Sequence, residues 1–236
     1  MPDLKERSYK KELLDADGIP FEDIRENMRE LNTVNRLLGG HKISLAGIHK
    51  LIEKRVPGMA LSICEIGCGG GDNLQAINNW CRKNNIHASF TGIDIKKECI
   101  DFAQEQYPGL NATWICKDYA QVDLTAKKPD IIFSSLFCHH FTEQALVKML
   151  HWMKANSSKG FFINDLQRHP LAYYSIKLLT RIFSKSYLVK NDAPLSVARG
   201  FKRKEWEVIF TSAGILQYSI VWKWAFRYLI VCKNGQ

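Results

Sequence analysis

Residues 62–73, with the sequence SICEIGCGGGDN, constrain what this chain can fold into more than any other segment. The segment begins with strand-like apolar residues, reaches an acid at Glu65, continues through four glycines, and arrives at Asp72 where a helix would begin. A strand, a tight turn and a helix in this order form the ligand crevice of nucleotide-binding α/β folds. The segment therefore predicts a binding loop at the end of the first strand.

The spacing within this loop argues against a phosphate ligand. The dinucleotide fingerprint GxGxxG would need its third glycine at position 72, where the chain has Asp72. Two carboxylates, Glu65 and Asp72, would also oppose an anion at the helix N-terminus. A Walker loop is excluded, because no Lys-Ser or Lys-Thr pair follows the glycines.

The pattern that fits is ExGxGxG, which resembles motif I of the class I S-adenosylmethionine-dependent methyltransferases. The resemblance implies that the acid helps to hold the zwitterionic amino-acid part of the cofactor, and that the glycines let the backbone approach it. A cationic sulfonium with an ammonium group suits an acidic rim, whereas a plain glycine-rich turn is the alternative. The cofactor-binding residues predicted in this loop are Glu65, Gly67, Cys68, Gly69, Gly71 and Asn73.

Composition limits the domain count and the compartment. A chain of 236 residues with 46% hydrophobic content suits one α/β unit with an added cap. Its seven cysteines are scattered without a CxxC pair, so neither a disulfide framework nor a zinc site is indicated, and a cytoplasmic location is expected. The N-terminus lacks the apolar core of a signal peptide, and no apolar run is long enough to span a membrane.

Regular alternation of strands and helices from residue 61 predicts a parallel sheet with helices on both faces. Apolar spacing before it predicts a helix from Pro20 to about residue 38 and a second helix over 44–55. We therefore expect an N-terminal helical cap over 1–58 and a methyltransferase domain over 59–236. The predicted strands are 61–66, 89–93, 111–116, 130–135 and 159–164, and the predicted helices are 73–84, 97–106 and 142–154.

The C-terminal part breaks this alternation. A helix over 202–213 precedes two apolar runs, 215–224 and 226–232, whose connection is so short that only an antiparallel pair can be joined. A mostly parallel sheet closed by one reversed C-terminal strand resembles the class I methyltransferase topology. The resemblance implies a seven-stranded, Rossmann-like sheet.

The ends of the second and third strands carry further acids. Asp94, followed by Ile95, lies where an acid accepts hydrogen bonds from both ribose hydroxyls, although it could instead cap the next helix. By resemblance, Asp118 receives the adenine amino group and Tyr119 covers the ring, whereas a surface Asp opening a turn is the alternative.

Residues 133–141, FSSLFCHHF, end the fourth strand and must line the crevice floor. They resemble motif IV of small-molecule methyltransferases related to ubiquinone and menaquinone biosynthesis, which adds Ser134 and Leu136 to the predicted cofactor contacts. The Asn/Asp-Pro-Pro-Tyr tetrapeptide of amino-methylating nucleic-acid enzymes is missing from the sequence.

Three histidines are candidates for the base that an oxygen acceptor requires, since an imidazole is available at neutral pH. His139 and His140 are adjacent, so at most one is expected to face the substrate, and the sequence does not decide which; both could merely stabilise the turn. His169 is a third candidate, with a plain loop role before Pro170 as its alternative. The fourth strand ends in serines rather than carboxylates, so no metal is predicted.

A basic insertion follows the fifth strand. Residues 166–204 contain nine Lys or Arg and one acid, and 171–188 form an amphipathic stretch with Lys177, Arg181 and Lys185 on one helical face. The insertion, 166–200, is predicted to act as a lid over an apolar pocket or as a peripheral membrane contact, and an ordinary solvated basic face is the alternative.

The segments 31–40 and 192–201 and the arm 6–15 resemble bacterial methyltransferases that accompany type III polyketide synthases. This resemblance implies O-methylation of a hydroxylated aromatic or pyrone, with or without an alkyl tail. It also implies that Arg36 reaches the cofactor carboxylate, and that Arg199 and Tyr173 contact the substrate.

The leading hypothesis is thus an S-adenosylmethionine-dependent O-methyltransferase of a small phenolic, pyrone or polyketide-like molecule, a monomer or dimer that releases S-adenosylhomocysteine. One alternative is C-methylation of a quinone or lipid precursor. Another is a nucleic-acid or membrane-binding module on a degenerate fold, and the lack of a basic-aromatic ladder disfavours nucleic acid.

Overall fold

The computed structural model describes residues 3–53 and 60–235, and its centre is a seven-stranded sheet. The strands are β1 Leu61–Ile66, β2 Ala88–Asp94, β3 Ala112–Cys116, β4 Ile131–Ser135, β5 Gly160–Leu166, β6 Ser219–Lys223 and β7 Arg227–Lys233. Their order is β3-β2-β1-β4-β5-β7-β6, and β7 alone runs antiparallel to its neighbours. The predicted class I methyltransferase sheet with a reversed C-terminal strand is confirmed.

Eight α-helices surround the sheet in the described part of the chain. They are α1 Phe21–Leu37, α2 Gly40–Ile52, α3 Asp72–Lys83, α4 Lys97–Gln106, α5 Glu143–Asn156, α6 Pro170–Phe183, α7 Tyr187–Arg199 and α8 Arg203–Ser212. Short 3-10 turns cover Leu13–Asp15, Tyr119–Gln121 and Cys138–His140. Within these described residues, no helix is both long and apolar enough to cross a membrane.

The strands β1 to β5 and the helices between them begin and end within two residues of their predicted positions. The second predicted helix begins earlier, at Gly40, because Gly39 takes a left-handed φ of 75° and ends the preceding helix at once. Ser44 therefore lies inside α2 rather than capping it. The predicted end of that helix and the boundary at residue 58 lie outside the described residues.

Two C-terminal predictions are corrected. The amphipathic stretch 171–188 is not one helix, since α6 ends at Phe183 and the Ser186 hydroxyl accepts the Val189 N–H to cap α7. The apolar run from residue 215 becomes a strand only at Ser219. Gly214, which follows α8, has a left-handed φ of 63°.

Apolar residues cover both faces of the sheet, as expected for parallel strands buried on both sides. On one face α5 and α8 bury side chains such as Leu146, Trp206 and Phe210 against the strands. On the other face α2 and α3 pack around Phe133 and Phe162. Helix α1 lies beside α4 through a smaller cluster. The carboxyl ends of the strands are left free to form a site.

An N-terminal arm, residues 3–18, lies across these strand ends. The Asp192 carboxylate in α7 accepts the N–H groups of Leu13 and Leu14 at 2.8 and 2.9 Å. The Ser8 N–H donates to the Ala198 carbonyl at 3.0 Å. The arm is therefore fixed to α7, and through it covers the carboxyl edge of the sheet.

Helix α2 approaches the sheet closely at Gly47. A Cβ at this position would lie 2.6 Å from the Phe162 ring, so any side chain must displace a buried aromatic. Gly47→Ala should lower the free energy of unfolding by about 1–3 kcal/mol through overpacking. Urea denaturation measures this. The control is Gly109→Ala, where a Cβ meets nothing within 4 Å; equal losses in the two variants would contradict the close approach.

Candidate active site

A cavity of about 860 Å³ lies at the carboxyl edge of the sheet. Its lining comes from the glycine loop, the ends of β2 and β4, the N-terminal arm, α1, α6, α7 and the first residue of β7. Ligands of open α/β sheets bind at this edge. The cavity is therefore the candidate site.

The glycine loop is shaped to bring backbone to the cavity. Gly67 has a φ of 66°, and a Cβ there would collide with the Phe137 ring. Gly69 has a φ of 49°, and a Cβ there would approach only Met28 Sδ, at 3.6 Å. Both conformations favour glycine. At Gly69 the loop therefore leaves its backbone open, whereas at Gly67 the backbone packs directly against Phe137.

Glu65 in β1 lines the cavity and is 1% exposed. Its Oε1 accepts the Asn73 side-chain N–H at 3.2 Å, and Oε2 has no partner. Burial, reinforced by the charge of Asp72, raises the pKa of Glu65 well above its usual value. A buried carboxyl with an unpartnered oxygen fits the ammonium end of S-adenosylmethionine, since a cation would satisfy it.

Asp94 lies at the end of β2, also in the cavity lining. Its two oxygens accept the N–H groups of Gly69 and Lys96, each at 2.9 Å. Burial raises the pKa of Asp94 although these bonds oppose the shift. The carboxylate is fixed in place and keeps lone pairs for ligand hydroxyls.

The lining near Asp94 contains the other predicted adenosine contacts. Ile95, Asp118 and Tyr119 all line the cavity, as do Cys68 and Leu136. Asp118 also accepts the Ala120 N–H at 3.0 Å, so it opens a turn as well. Tyr119 packs edge-on against Phe141. The geometry allows the predicted contacts with an adenine ring.

His139 is buried between two carboxylates. Its Nδ1 lies 2.8 Å from Asp165 Oδ1 in β5, and its Nε2 lies 3.6 Å from Glu12 Oε1 in the arm. Burial lowers the pKa of His139, but Asp165 and Glu12 outweigh it and raise the value to about 9. The ring is therefore an imidazolium at neutral pH, held by charges from both sides.

His140 lies beside His139, with ring centroids 4.5 Å apart, and its side chain is 22% exposed. Its Nδ1 is 3.3 Å from Asp15 Oδ1, and its Nε2 is 3.6 Å from Glu12 Oε2. Burial raises the pKa of Asp15, yet the contact with His140 more than reverses this and lowers it. Both histidines line the cavity.

Glu12, His139 and His140 each bring a ligand atom within 4.8 Å of the others, so this cluster is where the described residues could hold a metal ion. The contacts with Asp165 and Asp15 stabilise the same groups without one.

Several predicted site residues lie outside the cavity lining. His169 Nδ1 accepts the Leu171 N–H at 3.1 Å and its ring stacks on Phe226, so it serves as a helix cap. Arg36 is exposed on α1. Arg199 is buried and donates to the carbonyls of Lys10 and His139, which fixes the arm. The remaining three outside the lining are Gly71, Ser134 and Tyr173.

The structure adds residues that the sequence reasoning did not assign. Asp165 lies near the end of β5, the strand next to β4. This position is the one signal in the sequence for its contact with His139. Glu12 and Asp15 come from the N-terminal arm, and nothing in the sequence places them at the histidines. Arg227, the first residue of β7, also lines the cavity.

Residues 63–160 match the family described as "Methyltransferase domain". Together with the fold, the match supports the predicted class of enzyme, a methyltransferase. No curated protein matches the sequence significantly.

Solved structures share the fold of this chain. The plantazolicin methyltransferase BpumL, in complex with a monoazolic desmethylPZN analog and S-adenosylhomocysteine, is 18% identical with a TM-score of 0.66, covering 91% of this chain and 96% of its own. The magnesium protoporphyrin IX methyltransferase ChlM from Synechocystis PCC 6803, also with S-adenosylhomocysteine, is 16% identical with a TM-score of 0.52, covering 93% and 90%. The citrinin polyketide synthase CMeT domain is 13% identical with a TM-score of 0.55, covering 78% and 49%.

The charged state of His139 gives stability a specific pH dependence. Its pKa of about 9 in the folded protein exceeds the unfolded value of about 6.5, so the stabilisation is complete below about pH 6.5 and is lost as the pH rises through about 9. The free energy of unfolding should fall between pH 7 and 9.5 in the wild type and lack this fall in His139→Gln. Urea titrations at several pH values measure it. His87→Gln, at an exposed histidine, is the control; the contribution of the network is refuted if both variants keep the wild-type slope.

Proposed function

We propose that this chain transfers the methyl group of S-adenosylmethionine to an oxygen of a small hydroxylated molecule, of the phenolic, pyrone or polyketide-like class. The observation that carries the proposal is the pair of histidines in the cavity lining, of which His140 is the more exposed, at 22% against 3% for His139. An oxygen acceptor needs a base, and His140 is placed to act as one.

The cofactor, when bound, supplies a methyl group activated by its sulfonium. We assign Glu65 and Asn73 to its amino-acid end and Asp94 to the ribose hydroxyls. Asp118 and Tyr119 take the adenine. The buried Oε2 of Glu65 and the fixed carboxylate of Asp94 support these assignments. The remaining work of the protein is to orient the acceptor and to remove its proton.

The two histidines have different roles in this proposal. The pKa of His139 is raised to about 9, so at neutral pH both its ring nitrogens carry a proton and neither can accept another. His140 is less buried, and its nearest carboxylate oxygen, on Asp15, is 3.3 Å away, against 2.8 Å for His139. His140 is therefore the base, and His139 is a positioning residue that fixes the turn carrying it.

The cavity wall supports an acceptor with an apolar body. Apolar side chains from three helices line the cavity: Leu31 and Val34 of α1, Ile176 and Leu179 of α6, and Val197 of α7. The similar structures are a plantazolicin methyltransferase, a magnesium protoporphyrin IX methyltransferase and a domain of the citrinin polyketide synthase. The narrower resemblance to enzymes of quinone or type III polyketide pathways stays a prediction, and C-methylation is distinguished by the atom that bears the new methyl group.

His140→Gln should lower kcat for methyl transfer by about 10²–10⁴-fold, while S-adenosylhomocysteine binding stays within twofold of wild type. The loss should shrink as pH approaches the pKa of a phenol, near 10, because the acceptor then ionises without a base. Release of S-adenosylhomocysteine with a panel of phenols and hydroxypyrones measures activity, and calorimetry measures cofactor binding. His169→Gln, at a histidine outside the lining, is the control. Wild-type protein that gives no heat with the cofactor or its product would refute the methyltransferase itself.

We also propose that α6 rests on an anionic membrane surface. Its outer side leaves large apolar side chains in solvent, and basic side chains flank them with no acid anywhere in the helix. Leu179 and Trp224 are exposed and also line the cavity, so this surface borders the cavity mouth. The combination is typical of helices that lie at lipid interfaces. The exposed apolar residues are Leu171, Tyr174, Leu178, Ile182 and Phe183, and the basic ones are Lys177, Arg181 and Lys185.

Sedimentation with vesicles tests this contact. Wild-type protein should sediment with phosphatidylglycerol vesicles and much less with phosphatidylcholine vesicles, because the basic side chains favour anionic lipid. The pair Leu178→Gln and Ile182→Gln should abolish sedimentation. The control pair Val208→Gln and Leu216→Gln removes two apolar side chains that are 57% and 79% exposed elsewhere. Wild type that stays in the supernatant, or a stable dimer that only the α6 pair dissociates, would contradict the membrane contact.

A further inference from the structure

Arg227 is a buried cation that pairs with no acid among the residues that the structure describes. It is 2% exposed, begins β7 and lines the cavity. Its single hydrogen bond runs from Nη2 to Asn35 Oδ1 at 3.3 Å, and its Nε and Nη1 have no partner in the described part of the chain. Burial lowers its pKa to about 10, against the more distant charges of Asp165 and Asp72. A guanidinium left in this state carries an uncompensated desolvation cost.

The other buried arginines show how unusual this is. Arg168 makes an ion pair with Glu205 and donates to the carbonyls of Leu4, Lys5 and Gly200. Arg7 and Arg199 likewise donate to several carbonyls of the structure. These three fix the arm and α8. Arg227 fixes no comparable segment, so its burial has no matching structural benefit.

The surroundings of Arg227 suit an anion. Nη1 lies against Gly40, the first residue of α2, so closely that a Cβ at Gly40 would collide with it. The amino end of a helix favours negative charge. Asn164, whose Oδ1 is also unpartnered, donates its amide to the Gly40 carbonyl at 3.3 Å in the same place. The unpartnered guanidinium and the amino end of α2 thus lie side by side, and each of them independently favours a negative charge.

We propose that Arg227 is the carboxylate-binding residue of the cavity. A guanidinium binds a carboxylate through two parallel N–H···O bonds, and a bound carboxylate would supply the missing counter-charge. The carboxylate is either the amino-acid end of the cofactor, in the role that the sequence suggested for the exposed Arg36, or an acidic group of the methyl acceptor. The inference rests on the proposed function only for the identity of these two ligands.

Calorimetry on wild type, Arg227→Gln and Arg227→Lys separates the two sources. The cofactor arm compares S-adenosylhomocysteine with 5′-methylthioadenosine, which lacks the amino-acid end. The acceptor arm compares 4-hydroxybenzoate with its neutral amide, each with S-adenosylhomocysteine present at saturation. Arg36→Gln is the matched control, because it removes the same charge from an exposed position outside the lining.

If the cofactor is the source, Arg227→Gln weakens S-adenosylhomocysteine at least tenfold and leaves 5′-methylthioadenosine unchanged. If the acceptor is the source, Arg227→Gln weakens 4-hydroxybenzoate at least tenfold, with no change for the amide or the cofactor product. In either case Arg227→Lys recovers part of the affinity, because it keeps the charge without the fork. Unchanged binding of both carboxylates to Arg227→Gln, or a wild type that binds neither, overturns the inference. If wild type binds neither carboxylate but still binds 5′-methylthioadenosine, the cofactor pocket exists and only the inference about Arg227 fails. Failure of this inference is therefore distinguishable from failure of the proposed function.

The urea midpoint separates a ligand-binding role of Arg227 from a structural role, because the two roles predict opposite changes in stability when Arg227 is replaced. Ligand-free Arg227→Gln should have a urea midpoint equal to or above that of wild type, since it removes an unpaired buried charge. Arg199→Gln should have a lower midpoint, because it leaves carbonyls of the arm unsatisfied. A fall in Arg227→Gln as large as that in Arg199→Gln overturns the inference and makes Arg227 a structural residue.

Discussion

The contact between His139 and Asp165 is the interaction on which the site depends. It joins the turn after β4 to the end of the neighbouring strand β5, at 2.8 Å and almost wholly excluded from water. Glu12 approaches the same ring from the N-terminal arm. One imidazolium therefore holds together two strand ends and a segment from the opposite end of the chain. Its neighbour His140 takes its position from that arrangement.

The buried charges of the protein fall into two groups. Arg168 and Arg199, which fix the arm, are satisfied by carbonyls and carboxylates of the chain. Glu65 and Arg227 keep unpartnered polar atoms among the described residues, and both lie in the cavity lining. A protein bears the cost of an unpaired buried charge most readily where a ligand completes the pair. The cavity thus offers one acidic side chain, Glu65, and one cationic side chain, Arg227, to a molecule that carries both charges.

Helix α6 lies between the cavity and an apolar outer surface. One side contributes Ala172 and Ile176 to the cavity lining, while the opposite side exposes Leu178 and Ile182 to solvent. A single helix therefore separates the site from an apolar surface. The sequence indicated its amphipathic character, since side-chain periodicity is local, but it placed one helix over 171–188 where the serines at 184 and 186 allow two.

The sequence by itself determined the sheet, the glycine loop, and the positions of Glu65 and Asp94 at neighbouring strand ends. These features depend on spacing within a few residues and on the rule that parallel strands share an edge. Only the tertiary structure decided which histidine is the more deeply buried, that Arg36 lies outside the cavity while Arg227 lines it, and that the arm covers the site. The physical reason is the distance along the chain, because the contacts that make these choices join residues as far apart as Leu13 and Asp192. No local periodicity or spacing carries information about such pairs.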